Sequence, residues 1–268
     1  MNLGWATDIH LDHVTKSEDF ERFGRELSEG NDVAVITGDI GAAGNFDGLL
    51  EELHSISKIP LYFVLGNHDF YGADINHSRT AARALTSKGL VKYLPKTGPV
   101  ELSPGVWMVG VDGWADAQEG DYSRSNVRLN DSVFIKDMRV QRLVSKKHQG
   151  QFMKKMGNAE ADSLRQQLDQ VIGRPGLKHI VVATHVPPYR EATWHEGNVS
   201  SNDFLPFFCC RATGNAISDF ACESPQIKFT VLCGHTHGSG EYSPFPNVLV
   251  RTGGSEYGHP LVQNRVSF

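Results

Sequence analysis

Short apolar runs along the chain repeatedly end at polar residues that can bind metals or carry protons. Leu3 to Thr7 leads into Asp8, Val33 to Thr37 into Gly38-Asp39, and Leu61 to Leu65 into Gly66-Asn67-His68-Asp69. The pattern returns at Ile180 to Thr184 before His185, and at Phe229 to Cys233 before Gly234-His235-Thr236-His237. Runs of this length bounded by turn residues predict buried strands feeding loops. Ser17 to Ser28 and Phe46 to Ser55 carry apolar residues at three- and four-residue spacing, which predicts helices between the first three strands. Strand, helix, strand alternation implies an α/β architecture with a parallel or mixed sheet covered on both faces. In open sheets of this kind the ligand crevice lies beyond the carboxyl ends of the strands, which draws five distant motifs to one place.

From Asp131 to Arg174 the pattern is helical, and Ala161, Leu164, Leu168 and Val171 form the apolar face of a second helix predicted to start after Gly157-Asn158. This helical insertion covers about residues 113–175. Its first part carries Arg139, Arg142, Lys146, Lys147, Lys154 and Lys155, which either reach over a phosphorylated substrate or form an ordinary solvated face, the commoner role of such charges. Asn247 to Thr252 reads as a strand leading to Gly253-Gly254 in a small terminal β region. No linker divides the chain, so a single domain over residues 1–268 is expected.

Composition narrows the function classes. With 40% hydrophobic and 21% charged residues the chain suits one globular core. A formal charge of −5 offers no global attraction to nucleic acid or anionic membranes, so both are disfavoured as partners and phosphate binding must be local. No apolar run approaches the roughly 20 residues of a membrane span, and Met1 to Trp5 shows no signal-peptide core, which points to a cytoplasmic location. Cys209, Cys210, Cys222 and Cys233 lack a disulfide framework or a C-x-x-C pair and are expected to be reduced, small buried hydrophobes. Oligomeric state leaves no readable signature.

Candidate chemistry lies in the strand-end motifs. Asp8, His10, Asp39, Asn67, His68, His185, His235 and His237 offer carboxylate, amide and imidazole donors, which suit Mn, Fe or Zn better than a metal that wants thiolates. In extended backbone, side chains two apart point the same way, so Asp8 with His10 and His235 with His237 can each aim two ligands at one crevice. Five of the 12 histidines fall in these motifs, and that clustering is the signal. Gly38, Gly66 and Gly234 precede ligands and read as turn glycines. Downstream of His185, Arg190 is a candidate phosphate contact, while Tyr189, Trp194 and His195 are candidate substrate contacts, each with an ordinary packed loop as the alternative.

The ordered set Asp8-x-His10, Gly38-Asp39, Gly66-Asn67-His68-Asp69, Thr184-His185 and Gly234-His235-Thr236-His237 closely resembles the calcineurin-like metallophosphoesterase superfamily over residues 8 to 237. The resemblance implies a two-sheet αββα sandwich and two transition-metal ions. It places one ion on Asp8, His10, Asp39 and His237 and the second on Asp39, Asn67, His185 and His235, with Asp39 shared. It implies that His68 protonates a leaving group, oriented by Asp69, and that a metal-activated water hydrolyses a small phosphomonoester or phosphodiester. The Arg that follows Gly-Asp in Ser/Thr protein phosphatases is missing from Gly38-Asp39-Ile40-Gly41-Ala42-Ala43-Gly44, which disfavours phosphoprotein substrates. Ala42 also stands where many members carry a further acid. The alternative is a metal-binding interaction module on the same scaffold, although the full ligand set favours an enzyme.

Overall fold

In the computed structural model, which describes residues 1–89, 91–263 and 265–268, the period-2 pattern of the strands sorts side chains into two cores. The first sheet contains β1 (Asn2–Ala6), β2 (Val33–Thr37), β3 (Leu61–Val64), β4 (Val91–Tyr93) and β13 (Val266–Ser267), in the order β13-β1-β2-β3-β4. Its first four strands run parallel and β13 joins the edge antiparallel. The second sheet contains β5 (Val100–Ser103), β6 (Val106–Gly110), β7 (His179–Ala183), β10 (Lys228–Cys233), β11 (Gly240–Phe245) and β12 (Val248–Thr252), in the order β11-β12-β10-β7-β6-β5. A separate two-stranded ribbon pairs β8 (Trp194–His195) with β9 (Asn198–Val199).

Leu3, Trp5, Val33, Val35 and Val64 from one sheet meet Met108, Val181, Ala183 and Leu232 from the other in a core between the sheets. Alternate residues, among them Ile36, Phe63, Ile180, Val182 and Val231, turn outward to the helical layers. The coverage of both sheet faces expected from the alternation is met by helices on one face and the other sheet on the second, not by helices on both, giving the two-sheet αββα sandwich that the resemblance implies. Strand alternation cannot distinguish these cases, because either partner buries the same apolar positions.

Helices α1 (Ser17–Ser28), α2 (Phe46–Ser57) and α3 (Ile75–Ser87) bury Phe20, Phe23, Leu27, Leu50, Leu53 and Leu85 in the outer core, at about 1.5–3 kcal/mol for each large side chain. One turn, α4 (Leu94–Thr97), links the two sheets in sequence. Between β6 and β7 the chain forms α5 (Asp131–Phe134), α6 (Lys136–Val144) and α7 (Lys146–Asp169); α8 (Leu205–Phe208) and α9 (Arg211–Glu223) precede β10. The break expected at Gly157-Asn158 does not occur, because α7 runs through it. Gly157 is small for packing: a Cβ there would lie 2.5 Å from Asp116 Cβ and 3.2 Å from Cys210 Sγ. All four cysteines are free, but Cys222 is exposed rather than buried.

Candidate metal centre

Every predicted ligand lies just past the carboxyl end of a strand: Asp8 and His10 after β1, Asp39 after β2, Asn67 after β3, His185 after β7, and His235 and His237 after β10. The loops are joined across the sandwich. Asp8 N–H donates to Gly38 O at 3.1 Å, His10 N–H to Asp39 O at 3.0 Å, and His235 N–H to both oxygens of Asp8 at 3.0 Å. His185 Nδ1–H of the second sheet donates to Thr37 O of the first at 2.9 Å.

The ligand pairs converge for a different reason from the one the sequence suggests. Asp8, His10, Asp39, His235 and His237 have φ of 48°, 38°, 51°, 71° and 59°, so they occupy left-handed rather than extended backbone. Asp and His are enriched there among non-glycine residues, yet such conformations cost on the order of 1–3 kcal/mol each. Five of them in one place mark a site whose surroundings hold it against local preference.

Two donor sets share Asp39. Ligand atoms of Asp8, His10, Asp39 and His237 all lie within 4.8 Å of one another, with the Nε2 atoms of His10 and His237 3.3 Å apart. In the second set, Asn67 Oδ1 lies 3.0 Å from His185 Nε2 and 2.8 Å from His235 Nδ1; those nitrogens are 3.2 Å apart, and Asp39 Oδ1 is 3.4 Å from His185 Nε2. The second nitrogen of each histidine is committed, since His185 Nδ1–H donates to Thr37 O and His235 Nε2–H to Phe207 O. Asn67 Nδ2 donates to Asp131 Oδ1 at 2.9 Å and to Tyr71 OH at 3.2 Å, so its carbonyl oxygen faces the site. Four acceptors therefore converge where one proton serves only one pair. Separations near 3 Å are those of donors sharing a cation at about 2.1 Å, and the residues fit a metal.

The electrostatics agree. Asp8 and Asp39 are buried, which alone would raise their pKa, but nearby histidines override this and hold both low, Asp39 far below the usual carboxylate range. Burial holds His10 down at about 4 and lowers His235 as well, keeping both imidazoles neutral. Burial would also lower His185, but the Asp39 carboxylate overrides it and pushes it up to about 10; Asp8 raises His237 in the same way. At His185 a proton and a metal compete for one lone pair.

A profile of calcineurin-like phosphoesterases matches residues 1–239. The chain belongs to this family. Solved structures similar to this chain include a phosphopantetheinyl hydrolase from Mycobacterium tuberculosis, 12% identical with a TM-score of 0.65, covering 98% of this chain and 95% of that one. A dimetal phosphatase from Danio rerio is 13% identical with a TM-score of 0.55, over 95% and 87% of the two chains. TT1561 of Thermus thermophilus is 12% identical with a TM-score of 0.51, over 94% and 88%. At such identities the likeness speaks for the fold. No curated protein matches in sequence.

In this family member the donor sets border a cleft of about 230 Å³, whose lining includes His68, Tyr71, Asp131, His195, Phe208 and Tyr257. The His68 ring stacks on Tyr71 at 4.3 Å, and its Nε2 is 3.9 Å from Asp39 Oδ2. His195 also reaches the cleft, held by a 2.9 Å hydrogen bond from Nδ1–H to Thr236 O. The other predicted contacts do not. Tyr189 and Arg190 line a separate hollow of about 180 Å³, where Tyr189 OH bonds Gly214 O and Ser218, and Arg190 bonds Asn202. Trp194 packs against Gly240, consistent with the ordinary-loop alternative.

Asp69 has a different role from the expected one. Its Oδ1 accepts from Ile40 N–H and Gly41 N–H at 2.9 and 3.0 Å, and its Oδ2 from Gly66 N–H at 2.7 Å. Both oxygens thus staple the Asp39 loop to the Asn67 loop instead of orienting the His68 ring. Burial and the Asp39 carboxylate push the Asp69 carboxyl up, against those three donors.

Two site residues escaped the sequence reading. Tyr257 lies 4.3 Å from the His10 ring and 5.2 Å from His237, and burial raises its phenol to about 12. Its signal was available: it follows β12, which runs parallel to β10, so the strand-end rule applied to it too. Asp131, which accepts from both Asn67 and Tyr71, sits in the insertion without a motif to mark it.

Proposed function

We propose that this chain is a dinuclear metal-dependent hydrolase of small phosphate esters, using Asp8, His10, Asp39 and His237 for one ion and Asp39, Asn67, His185 and His235 for the other. The observation that carries the reading is the pair of carboxylate, amide and imidazole clusters sharing Asp39 beside an open cleft. When bound, Mn, Fe or Zn ions at such a pair supply a water of lowered pKa and positive charge for the phosphate oxygens. His68 is not needed in either donor set, and its edge faces the cleft between Tyr71 and His10. From there a ring N–H of His68 would deliver a proton to the leaving oxygen, a contribution of about 10²–10⁴-fold. His195, tethered by Nδ1–H to Thr236 O, keeps Nε2 to accept from a substrate hydroxyl. Tyr257 shields the His10 side of the cleft from water.

The test compares a chromogenic phosphate monoester with its matching diester, using Mn-loaded protein and Asp39→Asn as the control. Hydrolysis that disappears in the control supports the reading, and the preferred ester tells phosphatase from phosphodiesterase. His68→Ala is expected to retain both ions while losing about 10²–10⁴-fold in turnover on an ester with a poor leaving group. Unchanged turnover would remove His68 from the proton-donor role. No hydrolysis of either ester with two ions bound would favour the interaction-module reading.

A further inference from the structure

Helix α6 turns an apolar stripe outward. Lys136, Arg139, Val140, Leu143 and Val144 follow one another at three- and four-residue steps and all are exposed, while Ile135 and Met138 on the opposite side are buried. Leu143 is 79% exposed, and Val140, Val144 and the adjoining α5 residues Val133 and Phe134 are each about half exposed. Five of the nine large hydrophobics exposed among the described residues therefore lie within Val133 to Val144. Isolated exposed hydrophobics need no explanation, but a concentration on one short segment marks a docking surface.

Charge selects the occupant. Residues 128–155 carry eight Lys and Arg against two Asp, in a chain whose formal charge is −5. Neither acid offsets the basic rim: Asp131 accepts from Asn67 and Tyr71, and Asp137 from the backbone N–H of Ile75. What remains at the surface is an apolar centre flanked by Lys136 and Arg139, with Lys147 just beyond it. A symmetric pairing of two copies through this face would set the same cations against one another. An anionic lipid surface meets both demands, taking Val140, Leu143 and Val144 at the acyl boundary while the basic side chains extend to the headgroups.

We infer that α5–α6 is a peripheral membrane-docking element that lays the protein on anionic bilayers. No helix among the described residues is long and apolar enough to cross a membrane, so the contact is interfacial. The absence of a membrane partner expected from the net charge averaged over a chain whose charge is segregated. The element adjoins the cleft, since the Phe134 ring lies 5.4 Å from that of Tyr71, and Asp131 of α5 fixes Asn67. The inference does not depend on turnover, and its test reads binding alone.

Metal-loaded protein is sedimented with vesicles of phosphatidylcholine alone and of phosphatidylcholine mixed with phosphatidylglycerol, at low and high salt. Wild-type protein should pellet with the anionic vesicles, release at high salt, and stay in solution with the neutral ones. Leu143→Asp, and separately Lys136→Glu with Arg139→Glu, should each weaken that binding about tenfold or more with an unchanged unfolding temperature. Equal pelleting with both vesicles, no pelleting with either, or variants that bind like wild type overturns the inference. So does a wild-type dimer that Leu143→Asp dissociates without any vesicle binding, because a second copy would then be the occupant.

Discussion

Gly66 and Gly234 have no side chain because ligands occupy the space one would need. A Cβ on Gly66 would run into Asp39 Oδ1 and lie 2.8 Å from His185 Cε1; one on Gly234 would run into Asp8 Oδ2 and Thr7 Oγ1. Of the three motif glycines only Gly38 has a positive φ, at 89°, so the turn reading holds there, where a Cβ would also lie 2.6 Å from Gly66 N, while close approach alone governs the other two. Gly66→Ala is expected to leave the chain folded and to weaken metal binding by about 10–100-fold, the usual effect of disturbing groups that orient ligands. Competition with a graded chelator measures this, and wild-type metal retention would show that the Asp39 loop accommodates the methyl. At this scale the convergence of the candidate donors was legible because five short motifs, each at a strand end, carry their chemistry in residue identity. Asp131 was illegible because nothing nearby in sequence distinguishes it from any helix-initial acid. The role of Asp69 was misread because its partners are backbone N–H groups, which have no sequence signature.

Among the elements, α1 was read with its observed bounds, and β2 likewise, because apolar periodicity is clean and turn residues flank each. Helix α7 was cut short in the reading because Gly-Asn ordinarily ends a helix. Tertiary contact overrides that preference: Gly157 lets α7 approach Asp116, whose carboxylate accepts from the backbone N–H groups of Gln118 and Ala212 at 3.0 and 2.8 Å. Two effects compete in Gly157→Ala. Helix propensity favours alanine by roughly 1 kcal/mol. The 2.5 Å approach to Asp116 Cβ demands movement of a residue anchored at both oxygens, and such overpacking costs about 1–3 kcal/mol. The packing cost should win, lowering the urea midpoint; a raised midpoint would mean that the contact relaxes freely and that propensity governs the site.

Across the whole molecule the two sheets are pinned at opposite ends. At the carboxyl ends of the strands the ligand loops cross between them, as in His185 to Thr37 and His235 to Asp8. At the other end, His179 begins β7, meets Thr230 Oγ1 of β10 at 2.9 Å, and sets its ring edge-on to Phe268, whose N–H donates to Met1 O beside the first sheet. Strand alternation alone left this two-sheet arrangement hidden, and the ordered motifs supplied it only through family resemblance. Burial, reinforced by Lys228, holds the His179 imidazole down at about 4. An unfolded histidine takes up its proton near pH 6.5, so between about 6.5 and 4 the unfolded chain binds the proton and the folded chain does not. The stability contributed by neutral His179 is therefore complete above about 6.5 and lost as pH falls towards 4. His179→Gln removes that slope. With metal chelated from both proteins, the unfolding temperature of the variant relative to wild type should rise as pH is lowered from about 7.5 to about 4.5. A constant difference across that range would mean that His179 titrates alike in both states and that the far end of the sandwich admits its charge.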